Sequence, residues 1–271
     1  MKIYRYRHSN KTQWGALKEE TLFPMEGSVF GEFKIKKKGI PISEVILLPP
    51  AKPSKIVAIG ANYKSHAVEM GRTLPEEPLI FLKPPSAVVG PSDIIVYPGM
   101  TKRVDYEGEL AFVMKKKACL LGDDEDVEGY ILGYTCFNDV TARDLQRRDG
   151  QFTRAKSFDT FASVGPCIAT GIDPSRLRIK TFVNGKLRQS SSTKNLIFPV
   201  PFLVRFISRI MTLNPGDVIT TGTPAGVGPM FPGDRVDVQI EGIGTLSNTV
   251  MKIKSKNGAG KPGEAGKARK E

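Results

Sequence analysis

The run Val104-Asp105-Tyr106-Glu107-Gly108-Glu109-Leu110-Ala111-Phe112-Val113-Met114 alternates with a period of two. Val104, Tyr106, Leu110, Phe112 and Met114 fall on one face, and Asp105, Glu107 and Glu109 on the other, which predicts one long strand. Downstream, Tyr130 to Phe137 reads as a second apolar strand. Thr141-Ala-Arg-Asp144 fits a capping box, so a helix is expected from there to about Arg148. Upstream, Lys55 to Ile59 is a short apolar run that predicts a buried strand. It is followed by the turn Gly60-Ala61-Asn62-Tyr63 and a helical patch over Ser65 to Met70 that Gly71 ends. Four prolines make Thr73 to Pro85 a loop, with Leu79 to Leu82 as a strand inside it. Phe182-Val-Asn-Gly-Lys-Leu187 is a hairpin on an Asn-Gly turn. Phe202, Phe206 and Ile210 form one stripe of a helix. Val218 to Thr220 is again a strand. Pro-Gly-Asp at 215–217 and 232–234 is repeated turn chemistry, not a repeat architecture.

With 27 Gly and 20 Pro in 271 residues, many short strands joined by turns are expected, so the fold class is α+β and mostly β. Residues 1–50 read as a small β-rich N-terminal region that Pro49, Pro50 and Pro53 close off. Residues 51–251 form the main domain and 252–271 a basic tail. No apolar run approaches a membrane span, and Ile197 to Ile210 is interrupted by Pro199, Pro201, Arg205 and Arg209. Met1 to His8 has no apolar stretch behind it, so the expectation is a cytoplasmic protein without a membrane partner. Cys119, Cys136 and Cys167 make no CxxC pair, which excludes a disulfide framework and a cysteine-rich zinc site. Net charge is +12, and the tail from Lys252 to Glu271 holds seven Lys or Arg against two Glu. It reads as a disordered, solvated segment. The non-enzymatic alternative is a nucleic-acid-binding protein acting through that tail. With no zinc finger, RRM motif or basic heptad, nucleic acid is not the expected partner.

Chemistry could sit in four places. Glu107 and Glu109, at i and i+2 on a strand, project together about 6–7 Å apart, close enough to share a cation. Nothing basic neighbours them on that face, and a divalent ion would offset their repulsion. An ordinary solvated strand face remains open. Asp139 ends a buried strand and would add a third hard oxygen, which favours Mg²⁺ or Mn²⁺ over zinc. Beyond it, Arg143 and Gln146 share a helical face with Arg147 and could hold a carboxylate and an oxo group. His66 and Glu69, at i and i+3, suit an oriented general base, although a lone histidine is more often structural. Thr221-Gly-Thr-Pro-Ala-Gly-Val-Gly228 could cradle an anion through its backbone and Thr223, or be a tight turn; it is not a P-loop.

These segments occur in a familiar order. Asp105-Tyr-Glu107-Gly-Glu109-Leu110, Asn138-Asp139-Val-Thr-Ala-Arg143-Asp144-Leu-Gln146, Ala155-Lys156-Ser157-Phe158-Asp159, Pro215-Gly-Asp217 and Thr221 to Gly228 together resemble the fumarylacetoacetate hydrolase family, in its short form, over roughly residues 51 to 251. The resemblance implies a mixed β-roll and a homodimer. It implies Mg²⁺ or Mn²⁺ on Glu107, Glu109 and Asp139, with Ca²⁺ able to take the same oxygens in a crystal. His66 and Glu69 would form an acid–base dyad on a segment that orders over the substrate. Lys156 would be the site lysine, and Arg143, Gln146 and Thr223 would touch substrate. Asn62 stands where the longer members supply a fourth carboxylate, so three-carboxylate coordination is expected.

The implied activity is that of a metal-dependent hydrolase or lyase on a small 2-oxo acid. An acylpyruvate would be cleaved at a C–C bond through a metal-stabilised enolate, with His66 activating water and Lys156 neutralising charge. Oxaloacetate-type decarboxylation and 2-hydroxyhepta-2,4-diene-1,7-dioate isomerisation are the alternatives on the same site. The broader expectation is a catabolic role on aromatic compounds.

Overall fold

In the computed structural model, residues 1–69, 71 and 73–252 are described. The acidic run is two strands rather than one. Val104–Tyr106 pairs with Thr141–Ala142 and Gly228–Met230 in a three-stranded sheet. Gly108–Met114 lies between Ile131–Asp139 and Val218–Thr220 in a sheet of thirteen strands. The chain changes sheet at Glu107. All seven residues of Gly108–Met114 are buried, so the alternative of an ordinary solvated strand face is excluded. Leu110, Phe112 and Met114 enter the main hydrophobic cluster, while Ala111 and Val113 enter a second cluster on the opposite face. An interior strand covered on both sides is apolar almost throughout, and Glu109 is the buried exception here.

The large sheet runs in the order Phe33–Ile35, Thr21–Gly27, Lys11–Lys18, Lys2–His8, Ala162–Ala169, Ile131–Asp139, Gly108–Met114, Val218–Thr220, Ile56–Gly60 and Leu79–Lys83. Lys2–His8 joins the N-terminal strands to Ala162–Ala169 through Lys2 opposite Ala169 and Ile3 opposite Ile168. The parallel pair Val218–Thr220 and Ile56–Gly60 is stapled at its start by Asp217. That carboxylate accepts from Ser54 N, Lys55 N, Ser54 Oγ, Asn214 N and Lys55 Nζ. A separate five-stranded sheet contains the Asn-Gly hairpin, with Asn184 at φ 51° and Gly185 at φ 75°, the signs a type I′ turn needs.

Two local expectations are corrected. The helix Val200–Ile210 buries Val200, Leu203, Val204 and Ile207, whereas Phe202 and Ile210 are exposed. Both stripes satisfy helical spacing, and the aliphatic one faces the core; the exposed Phe202 stacks between the buried Phe198 and the half-buried Phe206. The helix Arg143–Asp149 has no side-chain cap. Thr141 is committed to a strand and donates to Asp139 O, while Asp144 accepts from Thr101 and Lys102 instead. The predicted helical patch appears as Lys64–Glu69; its expected last residue, Met70, lies outside the described residues, as does the basic tail beyond Lys252. No helix among the described residues is long and apolar enough to cross a membrane.

Candidate active site

The change of sheet at Glu107 is held by two backbone contacts: Glu107 N donates to Asn138 Oδ1 (3.0 Å), and Asp139 N donates to Glu107 O (2.9 Å). Those contacts set the end of Ile131–Asp139 beside Glu107 and Glu109. One oxygen from each of Glu107, Glu109 and Asp139 lies within 4.8 Å of the other two, and all three residues are buried. Three hard oxygen donors at this separation fit a divalent cation of the Mg²⁺ or Mn²⁺ type.

The expectation that nothing basic neighbours these acids is overturned. Lys156 Nζ, at the end of the short helix Thr153–Lys156, donates to Glu107 Oε2 (2.8 Å) and Asp139 Oδ2 (2.5 Å). Lys83, the last residue of Leu79–Lys83, reaches Asp139 Oδ1 and Val140 O with its side chain fully buried. Arg143 donates to Glu107 Oε1, to Asp105 Oδ2 (2.9 Å) and to Gln146 Oε1 (2.6 Å). Asp105 is in turn gripped by Arg103. Sequence spacing gives no view of these partners, because each cation comes from a different element.

The two glutamates are consequently unlike. Burial would raise the Glu107 carboxyl, but Lys156 first, then Arg143 and His66, hold it below the usual carboxylate range. Glu109 is pushed well above that range by burial and then by the charges of Asp139 and Glu107. It accepts a backbone N–H from Gly222 (2.9 Å) and contacts none of the three cations. The lysines also part: burial lowers Lys83 against the pull of Asp139. For Lys156, burial is outweighed by Asp139 and Glu107, and its ammonium is held above the usual value.

Over the acids lies a cavity of about 40 Å³, lined among others by His66, Phe81, Gln146, Phe152 and Thr223. That is room for an ion and one or two waters. His66 Nδ1 is 3.1 Å from Glu69 Oε2, and Glu69 Oε1 accepts from Gly226 N (3.0 Å). Gly226 O accepts in turn from Tyr106 (2.9 Å). The glycine-dense loop does hold anions through its backbone, but they are the carboxylates of Glu109 and Glu69 in this chain. Thr223 donates to Gly108 O and accepts from Gln189 Nε2, so its hydroxyl proton is already committed. Gln189 went unpredicted because it lies on the distant strand Lys186–Ser192. Asn62 spends its amide on Phe198 O and Thr221 O, and its oxygen on Phe198 N. It ties two segments and is no ligand.

Of the residues singled out in the sequence, Glu107, Glu109, Asp139, His66, Lys156, Arg143, Gln146 and Thr223 line one cavity, and Glu69 sits behind His66. The structure adds Lys83, Asp105, Gln189 and Gly226.

Known proteins resemble this chain in sequence and in fold. Residues 55–251 match the model of the fumarylacetoacetate (FAA) hydrolase C-terminal domain, and residues 1–50 match the Rv2993c-like N-terminal model. The chain is 46% identical over 224 residues to oxaloacetate tautomerase YisK of Bacillus subtilis, across 77% of this chain and 74% of that protein. The crystal structure of 5-carboxymethyl-2-hydroxymuconate delta-isomerase from Mycobacterium smegmatis superposes with a TM-score of 0.87 at 40% identity, covering 93% of this chain and 100% of that one. Maleylpyruvate hydrolase from Sphingobium sp. SYK-6, solved with manganese(II) and pyruvate, gives a TM-score of 0.77 at 30% identity, covering 93% and 99%.

Proposed function

This chain belongs to the fumarylacetoacetate hydrolase family and is an enzyme of that family; from that premise we propose that it enolises a small 2-oxo acid, with keto–enol tautomerisation of an oxaloacetate-type substrate as its first activity. The observation that carries this reading is the buried acidic trio beneath an oriented imidazole. The relative at 46% identity, named an oxaloacetate tautomerase, supports the choice of outcome.

Glu107, Glu109 and Asp139 would hold the divalent ion, for which Mg²⁺ and Mn²⁺ are the candidates. When bound, such an ion supplies positive charge where the 2-oxo acid's oxygens gather. His66 removes a proton from the carbon beside the 2-oxo group; the C–H electron pair becomes a C=C bond as the carbonyl π pair moves onto oxygen. Glu69 keeps the imidazole in one orientation and steadies the imidazolium that forms. The Lys156 ammonium and the Arg143 guanidinium counter the charge growing on oxygen. Return of the proton to that oxygen yields the enol, and the reverse sequence yields the ketone.

A second reading is C–C hydrolysis of an acylpyruvate, in which His66 takes a proton from water instead. The likeness to maleylpyruvate hydrolase favours it. Oxaloacetate decarboxylation would reach an enolate by loss of CO₂ in place of a proton, and dienedioate isomerisation would move a proton along the conjugated enol. We also propose that the chain acts as a cytoplasmic homodimer, to be checked by light scattering.

The test is a panel of oxaloacetate, acylpyruvates and dienedioates with Mg²⁺, Mn²⁺ or EDTA. The enol absorbance of oxaloacetate is expected to relax faster with enzyme and metal, and at the uncatalysed rate with EDTA. Acceleration that survives EDTA, or none on any 2-oxo acid, contradicts the reading.

A further inference from the structure

The oxygens of Glu107 and Asp139 are shared out in a pattern. Glu107 Oε1 is bonded by Arg143, which Asp105 and Gln146 fix from two other sides. Asp139 Oδ1 is bonded by Lys83, which Val140 O fixes from behind at 3.2 Å. The remaining oxygens, Glu107 Oε2 and Asp139 Oδ2, are both held by the single Lys156 ammonium, at 2.8 and 2.5 Å. The two lysines differ in place as well as in partners. Lys156 lines the cavity, with its Nζ 5.1 Å from the centre of the Phe81 ring. Lys83 is not among the residues lining it.

We propose that Lys83 is a positioning residue that stays on Asp139, whereas the Lys156 ammonium is an exchangeable counter-ion that leaves Glu107 and Asp139 when a divalent cation takes the two oxygens it holds. The inference rests on the metal-binding reading above. An ammonium and a divalent ion on the same pair of oxygens would be like charges in close contact, which repel strongly at low dielectric. The arginine and Lys83 keep the outer oxygens compensated throughout, so both carboxylates stay aimed as the exchange occurs. The released ammonium remains on its four-carbon stem beside Phe81, inside the cavity, where a substrate oxygen would be met. Occupancy of the acids and readiness of Lys156 are thereby one event.

The exchange is read by titrating metal-free protein with Mn²⁺ and following the free-ion signal by electron paramagnetic resonance. Lys156→Met removes the competitor and is expected to bind Mn²⁺ at least tenfold more tightly than the unaltered chain. Lys83→Met removes the anchor and is expected to bind at least tenfold more weakly, with circular dichroism checking the fold. Lys83→Gln keeps a donor for Asp139 and is expected to stay within threefold, which covers the case of a Met variant that does not fold. Equal or weaker binding by Lys156→Met, or tighter binding by Lys83→Met, overturns the proposal. Glu109→Gln separates the two levels: if it binds Mn²⁺ as the unaltered chain does, the metal reading itself fails, whatever the lysines do.

Discussion

Glu109 is compensated differently from its two neighbours. It receives one backbone N–H from Gly222 and no cation, and burial with Asp139 and Glu107 holds its carboxyl up. A carboxyl with a raised folded pKa binds protons in the native state that the unfolded chain has already lost. Stability then falls as pH rises from the ordinary carboxylate value towards the raised one. The metal-free protein is expected to show this fall in thermal melts. Glu109→Gln should flatten it and gain about 1–3 kcal/mol near neutral pH, because it removes an uncompensated buried charge. A variant that melts lower at neutral pH and keeps the slope contradicts this. His66 tests the chemistry separately from the ion: His66→Ala should lower turnover by about 10²–10⁴ with Mn²⁺ affinity unchanged, and loss of both would move His66 into the metal site. Glu107 and Glu109 were legible as a pair at this scale because only Gly108 separates them in sequence. Lys83 was not, since a lysine ending Leu79–Lys83 before two prolines looks the same whether it faces solvent or a buried aspartate.

The glycine-dense loop is the element that ties the dyad to the core. Gly226 gives its N–H to Glu69 and takes the Tyr106 hydroxyl on its carbonyl. Its φ is +98°, and a Cβ there would stand 2.3 Å from the carbonyl oxygen of Arg188. Gly226→Ala must shift the loop, and the expected outcome is a kcat at least tenfold lower with a stability loss of about 1–3 kcal/mol; wild-type kinetics would show that the Glu69 contact is dispensable. Strands were readable wherever an apolar run was short and bounded by turns, as in Ile56–Gly60, Leu79–Lys83 and Val218–Thr220. Two readings failed for a common reason. The change of sheet at Glu107 and the aliphatic face of Val200–Ile210 are both chosen by tertiary neighbours, while the local pattern allows either outcome.

Across the whole molecule, the N-terminal strands and the catalytic body share one sheet. Ile3 and Tyr6 are buried, and Lys2–His8 borders the strand Ala162–Ala169. A chain lacking residues 1–50 would leave that edge and its apolar surface uncovered, so aggregation or a lower melting temperature is expected; a soluble fragment with an unchanged melt would contradict the dependence. Glu109 and Asp139 meet because Gly108–Met114 and Ile131–Asp139 are hydrogen-bonded neighbours in that sheet. The ion is therefore the feature to see directly. In crystals soaked with Mn²⁺, an anomalous difference map is expected to show one strong peak among Glu107, Glu109 and Asp139, with Lys156 withdrawn from both of its carboxylates. A map without a peak there, and with Lys156 still seated on Glu107 and Asp139, would contradict the metal centre on which the proposed chemistry depends.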